Sequence, residues 1–390
     1  MSTQGAARGP GEDLCFAVRG KLAVDGGLVP GAVVVRGGRI AEVARGAGAL
    51  DLPPVVHEAA IVSAGFIDLQ VNGGFGVEVS DSAEALVHLS RHLPASGVTA
   101  FLPTLVSSTA ETYPRALEAF RAGRQAPGAV PLGLHLEGPF LSERRAGAHR
   151  PRAIAEASED VFEPFFEGGV LRLVTLAPET PGGLDRIRRL RSRGVLVSLG
   201  HTDATYEEFE RGVDAGAEMA THLYNAMSGF NHRAPGAVGA ALADERITVG
   251  LIADGLHSHP VSVRLAVKAK GPEGVALVTD AIAGAGMEPG VYRLDGRDIL
   301  VDETLAKLPD GRIAGSILSL DQAVRNVAAW SGSGVGEACR MASEVPARLL
   351  GLASKGTLAP GKDADLVLLD EDLRVSSTYR GGLPVYRRES

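Results

Sequence analysis

Cysteine is scarce: the 390 residues hold two, Cys15 and Cys339, far apart and outside any C-x-x-C pattern. A disulfide framework is not indicated, and the chain suits a reducing compartment. Long apolar runs are missing as well. No stretch approaches the roughly 18 apolar residues of a spanning helix, and the first ten residues, Met1 to Pro10, lack an apolar signal core. Both absences predict a soluble, cytoplasmic protein. Excess positive charge is also lacking. A net charge of -8 speaks against nucleic acid or an anionic membrane as the main partner. An anionic small-molecule substrate stays open, because a local basic cluster decides that. Low-complexity segments and repeats of fixed period are absent too.

What is present is a large apolar inventory. Hydrophobic residues make up 45% of the chain, enough for one large domain and a smaller one. The 50 glycines and 22 prolines are scattered among apolar runs, which predicts many tight turns between strands and helices. Residues 1 to about 12 read as a loose tail. From Leu14 to about Val62, short runs such as Phe16-Ala17-Val18, Ala32–Val35 and Ile40–Val43 are separated by Gly26-Gly27 and Gly37-Gly38. This is an antiparallel β pattern, too short for a good core alone.

From about Ser63 the rhythm changes. Eight continuous apolar strands are expected at Gly65–Val71, Thr99–Pro103, Leu132–Glu137, Leu171–Leu176, Val195–Gly200, Glu218–His222, Thr248–Ala253 and Val275–Asp280. Helix-length segments, such as Ser82–Leu93 and Ala110–Ala122, lie between most of them. Such alternation predicts a covered parallel sheet, and eight units suit a closed barrel. An open doubly wound sheet ranks lower, because no Gly-rich dinucleotide loop follows the first strand. The fold class is therefore α/β: a (β/α)8 TIM-type barrel with a small β-sandwich domain built from both chain ends. The expected division is 1–62 (first part of the sandwich), 63–288 (barrel core), 289–315 (a β insertion or sandwich contribution), 316–352 (helices on the barrel) and 353–390 (returning strands).

An acid at the end of a buried strand is costly unless paired. Glu137 ends the third strand before Gly138-Pro139, while His201 and His222 follow or end the fifth and sixth. Active sites of parallel barrels lie at these strand ends. Glu137, His201 and His222 make a His2Glu set suited to Zn2+, or to Fe2+ as a two-histidine, one-carboxylate site. Asp280 ends the last strand, where it can serve as a proton carrier opposite the metal or as a structural acid. His135 shares the parity of Glu137 deeper in the lumen. His57 belongs to the N-terminal β segment, His88 and His92 to a solvated helix face, and His232 and His259 to loops. Asn225-Ala226, Arg233 and His257 could together clamp a phosphate. Taken alone, an ordinary turn and a surface ion pair are the favoured reading.

These residues fall in a set of blocks: Gly65–Gly73, Leu102–Leu105, Gly133–Pro139, Val174–Glu179, Gly200–Thr202, Thr221–Met227, Asp254–His257 and Val278–Asp280. Together they resemble the N-acetylglucosamine-6-phosphate deacetylase family of the amidohydrolase superfamily, from about residue 14 to 385. The resemblance implies metal-dependent hydrolysis of N-acetyl-D-glucosamine 6-phosphate to D-glucosamine 6-phosphate and acetate. Its alternatives are a related substrate such as N-acetylgalactosamine 6-phosphate, or a non-catalytic sugar-phosphate-binding homologue. By position it implies that Glu137, His201 and His222 are metal ligands and that Asp280 is the general acid/base. His149 matches a substrate-contacting histidine, and Asn225, Ala226, Arg233 and His257 match sugar-phosphate contacts. A homodimer, or a tetramer, is implied, with one phosphate contact crossing the interface. Gln70 and Asn72 stand where many superfamily members carry the His-x-His of a second metal. Neutral amides are poor ligands beside imidazoles, so one divalent metal per subunit is expected.

Overall fold

The computed structural model describes residues 14–46 and 53–389, so the expected tail over residues 1 to about 12 lies outside the described residues. Eight parallel strands follow one another around the larger unit: Phe66–Val71, Val98–Val106, Leu134–Glu137, Leu171–Leu176, Leu196–Leu199, Met219–Ala220, Thr248–Leu251 and Val275–Leu277. Each pairs in parallel with the next. The circuit closes just beyond the eighth strand. There Asp280 N–H donates to Gln70 O at 2.9 Å, and Asn72 N–H donates to Ala281 O at 2.8 Å. Every residue of the first strand is buried, which is why it reads as apolar without alternation.

Two elements differ from expectation in instructive ways. The third strand is interrupted: Val130–Pro131 pairs with the second strand, and pairing resumes at Leu134. Gly133 makes the break at φ +146°, where a Cβ would meet Arg172 Cγ at 2.2 Å and Val170 O at 2.7 Å. The sixth strand is only Met219–Ala220, so His222 lies in the following turn. Helices cover the outside. Tyr206–Asp214 is typical, with a reciprocal capping box between Thr205 and Glu208 and with Phe209 and Val213 turned to the core. The helix expected from Ala110 starts at Thr112 and runs to Gly123.

Both chain ends meet in one seven-stranded sheet, ordered Leu383–Arg387, Val375–Arg380, Leu366–Leu369, Val56–Ala64, Cys15–Val24, Gly27–Arg36, Arg39–Arg45. It bends over its own core of Phe16, Val18, Leu22, Val33, Ile40, Leu366 and Leu368. The edge strand reaches across to residues 361–364, where Ile40 N–H donates to Lys362 O at 2.9 Å and Ala364 N–H to Gly38 O at 2.9 Å. Thr378 Oγ1 donates to Pro94 O at 2.7 Å and Arg380 to Gly128 O at 2.7 Å, docking the sheet on the barrel. Gly290–Leu294, Arg297–Val301 and Ala306–Lys307 form a separate antiparallel sheet. It sits over the barrel mouth, tied down by Arg297 to Ala148 O at 2.6 Å and by Arg312 to Gly147 O.

Below the mouth the lumen is polar and internally satisfied. His135 Nε2 meets Thr175 Oγ1 at 2.8 Å, Thr175 meets Thr221 at 2.7 Å, and Thr221 meets Ser198 at 2.6 Å. Asp68 ties the first strand to the eighth, accepting from Thr279 Oγ1 at 2.6 Å, Thr279 N at 3.2 Å and Gln70 N at 3.2 Å. Burial pushes its pKa up to about 7 against the pull of those donors. The folded state thus holds this proton more tightly than the unfolded chain does. Stability tied to it is complete below about pH 4 and is lost as the pH rises to about 7. Asp68→Asn keeps an acceptor for both N–H groups and cannot ionise. Its melting temperature is expected to gain on wild type steadily from pH 4 to 7; a constant difference would remove Asp68 as the source of that slope.

Candidate active site and metal centre

The chain turns abruptly where the strands end. His201, His222 and Asp280 adopt φ of +49°, +30° and +53°, a region side-chain-bearing residues seldom occupy. Each such residue costs of order 1–3 kcal/mol and persists only where its surroundings hold it. Here the turn swings each side chain into the barrel mouth, beside Glu137 at the end of the third strand.

Three acceptors meet there. Glu137 Oε1 lies 3.2 Å from His201 Nε2 and 3.0 Å from His222 Nε2, and the two nitrogens are 3.1 Å apart. His201 Nδ1 lies 2.8 Å from Arg145 O, which can only accept, so Nδ1 carries a proton and the neutral ring presents its lone pair at Nε2. A proton on His222 Nε2 serves one of its two neighbours, and the His201 lone pair still faces the carboxylate. His222 Nδ1 is buried without a partner among the described residues. Burial would raise the Glu137 pKa, yet the two imidazoles set against its Oε1 hold it well below the usual range. Burial would likewise lower His222, but Glu137 draws it above its ordinary value. Both directions express one demand, for positive charge at the point where the three meet. A divalent cation fits that donor set, with the Arg145 carbonyl orienting His201 from behind.

Gln70 and Asn72 complete the inner wall with amide donors. Gln70 Nε2 donates to Glu137 Oε1 at 3.1 Å and to Asp280 Oδ1 at 3.0 Å, and Asn72 Nδ2 donates to Asp280 Oδ1 at 2.7 Å. Asp280 Oδ1 is thereby occupied and Oδ2 is left for chemistry. Burial first, and then the Glu137 charge, push the Asp280 pKa up to about 6. His149 is buried, and burial keeps it well below its ordinary pKa, hence neutral. Its Nδ1 accepts from Ser107 N–H at 3.1 Å. The remaining proton therefore sits on Nε2, which lies 3.8 Å from Glu137 Oε2 as a donor at the mouth.

These groups share a cavity of about 160 Å³ with Asn225, Ala226 and His257, roofed by Leu294 and Ile313 of the covering sheet and its loop. His257 is held by Asp254, whose Oδ2 meets Nδ1 at 2.6 Å and whose Oδ1 accepts the N–H groups of Leu256 and His257 at 2.8 Å. Arg233 is not brought in. It lies exposed on the loop after the sixth strand and does not line the cavity. His232 is exposed, and His259 caps the helix Pro260–Lys270. His88, of intermediate exposure, and the exposed His92 stack on their helix. A larger cleft, about 940 Å³, lies at the opposite end of the barrel, but Arg191, Arg246, Lys270 and Arg348 there all bond protein oxygens. Sequence reasoning passed over Ser107 and gave Asp254 no role. Asp254 carries a readable signal, an Asp followed by N–H groups two and three residues on. The Ser107 contact has none, since it spans 42 residues.

A family model described as "Amidohydrolase family" matches residues 61–385. The N-acetylglucosamine-6-phosphate deacetylase of Bacillus subtilis (strain 168) is 38% identical, covering 84% of this chain and 85% of its own. The N-acetylgalactosamine-6-phosphate deacetylase of Escherichia coli O157:H7 is 40% identical, covering 84% and 88%. Among solved structures, a mutant N-acetyl-D-glucosamine-6-phosphate deacetylase from Mycobacterium smegmatis, in complex with N-acetyl-D-glucosamine-6-phosphate, superposes with a TM-score of 0.87 at 35% identity. It covers 95% of this chain and 99% of that one.

Removing one of three converging ligands should abolish tight metal binding without unfolding the barrel. Glu137→Gln, His201→Ala and His222→Ala are each expected to retain less than about a tenth of the wild-type divalent metal after dialysis, read by elemental analysis. Undiminished metal in all three would place the ion elsewhere.

Proposed function

We propose, from the premise that this chain belongs to the amidohydrolase family, that it hydrolyses the N-acetyl group of N-acetyl-D-glucosamine 6-phosphate to D-glucosamine 6-phosphate and acetate. The observation that carries this reading is the convergence of Glu137, His201 and His222 beside an acid with one free oxygen, Asp280. When bound, a divalent cation supplies Lewis acidity that activates water and polarises a carbonyl. We assign it as a single Zn2+ per subunit, with Fe2+ or another divalent ion as the alternative.

The chain's own groups then have separable roles. Asp280 Oδ2 takes the proton of the attacking water and returns it to the amide nitrogen as the C–N bond breaks. His149 Nε2–H donates to the carbonyl oxygen as negative charge develops there. Leu294 and Ile313 exclude bulk water from above. The phosphate is read by the N–H groups of the 225–226 loop and by His257, which Asp254 orients. Arg233 joins them from the partner subunit of a homodimer. Phe230, Leu256, Val261 and Leu265, each 47–65% exposed on nearby elements, offer the apolar surface for that pairing. The location we infer is cytoplasmic.

A second reading is the galacto epimer, favoured by the similarity to the E. coli galactosamine enzyme. The choice turns on contacts to the C4 hydroxyl. Acetate release from both epimers, each with and without phosphate, separates the readings. N-acetyl-D-glucosamine 6-phosphate is expected to be preferred, and equal rates with and without phosphate would undo the roles of His257 and Arg233. His257→Ala should lower kcat/KM for the phosphorylated sugar roughly tenfold to a hundredfold, the worth of a hydrogen bond to a charged group.

Asp280→Asn, fully metallated, should lose about 100- to 10,000-fold in turnover, the span of acid–base assistance. Near-normal turnover would take Asp280 out of the mechanism. Because the base must be ionised, wild-type kcat/KM should fall as the pH drops below about 6. Bound metal charge moves that limb lower still, and a flat profile down to pH 4 would contradict the assignment.

A further inference from the structure

Asn72 stands beside Asp280 at the end of the first barrel strand. The residue is only 5% exposed and lines the cavity. Nδ2 is committed to Asp280 Oδ1 at 2.7 Å, while Oδ1 is buried with no partner among the described residues. Exchanging the two amide atoms does not resolve this, because Oδ1 would then face the Asp280 oxygen. Leaving a buried acceptor unpaired is costly, and such an orphan in a binding cavity marks a place where a ligand supplies the donor.

The reaction proposed above supplies that donor, and this inference rests on that reading. An acetamido nitrogen carries one N–H. When Asp280 Oδ2–H delivers its proton to the nitrogen lone pair, Asp280 acts as donor and cannot also accept the nitrogen's own hydrogen. The acceptor must lie beside Asp280, and Asn72 is bonded to it. Glu137 Oε1 is taken up by Gln70 and faces both imidazole Nε2 atoms, and Glu137 Oε2 lies toward His149 Nε2 at 3.8 Å. We propose that Asn72 Oδ1 accepts the N–H of the substrate's acetamido group, so that one amide side chain holds both the acid and the nitrogen it protonates. The expected consequence is selectivity for amides over esters, since an ester oxygen has no hydrogen to give.

The test compares N-acetylglucosamine 6-phosphate with the ester analogue 2-O-acetylglucose 6-phosphate, in wild type, Asn72→Ala and Gln70→Ala with metal content matched. Gln70 also donates to Asp280 Oδ1 but does not line the cavity. It therefore controls for damage transmitted through Asp280. Asn72→Ala should lower the amide-to-ester ratio of kcat/KM about tenfold, and Gln70→Ala should lower both substrates alike. The ratio of dissociation constants, by calorimetry at low pH where turnover is slow, should move in step with Asn72. An unchanged ratio in Asn72→Ala, in both kinetics and binding, overturns the proposal and leaves Asn72 as a prop for Asp280. No acetate from either substrate with wild type is a different failure, of the functional reading. In that case the two dissociation constants still decide the question, and equal values overturn the Asn72 contact.

Discussion

One carboxylate oxygen and two imidazole nitrogens stand within 3.2 Å of one another, and at least one of those nitrogens carries no proton. In a low-dielectric barrel mouth such a group of lone pairs repels itself unless a cation sits among them. Much of the surrounding structure follows from maintaining that arrangement. The strand ends of His201 and His222 are bent into the left-handed region to aim the rings. The Arg145 carbonyl fixes one tautomer, and a layer of His135, Thr175, Thr221 and Ser198 supports the ligands from below without unpaired atoms.

A second constraint orders the other half of the mouth. Asp280 stands on the barrel seam, where the last strand closes on the first. Its backbone position is set by the seam, with Asp68 gripping Thr279 from within. Its side chain is set by two amides that fill one oxygen. In a two-metal amidohydrolase a cation could occupy that place; here three N–H bonds from Gln70 and Asn72 do so without charge. Burial and the Glu137 charge keep the Asp280 pKa raised, to about 6, against the pull of the Asn72 hydrogen bond, which suits the proton-carrying role proposed for it.

The barrel was legible because each of its strands is buried on both faces and so appears as an unbroken apolar run followed by a turn. The convergence of the three groups that could hold a metal ion was legible for a related reason. Glu137, His201 and His222 are polar residues placed where those runs stop, and the barrel topology brings strand ends together whatever their separation in sequence. Contacts that depend on loop shape were not legible. Ser107 selects the His149 tautomer across 42 residues. The sheet over residues 290–307 gave only a generic β pattern, and nothing in it announced that Leu294 would roof the cavity. Arg233 shows the limit most plainly. Its position in a motif suggested a phosphate contact, while its side chain lies outside the cavity of its own chain.

Where positive charge resides in the mouth decides the metal assignment. Anomalous diffraction at the metal absorption edge, from crystals of metal-loaded protein, locates it directly. A single strong peak bounded by Glu137, His201 Nε2 and His222 Nε2, with no peak between Gln70, Asn72 and Asp280, is the predicted result. An empty position among those three ligands, or a second peak of equal strength beside the amides, would contradict it.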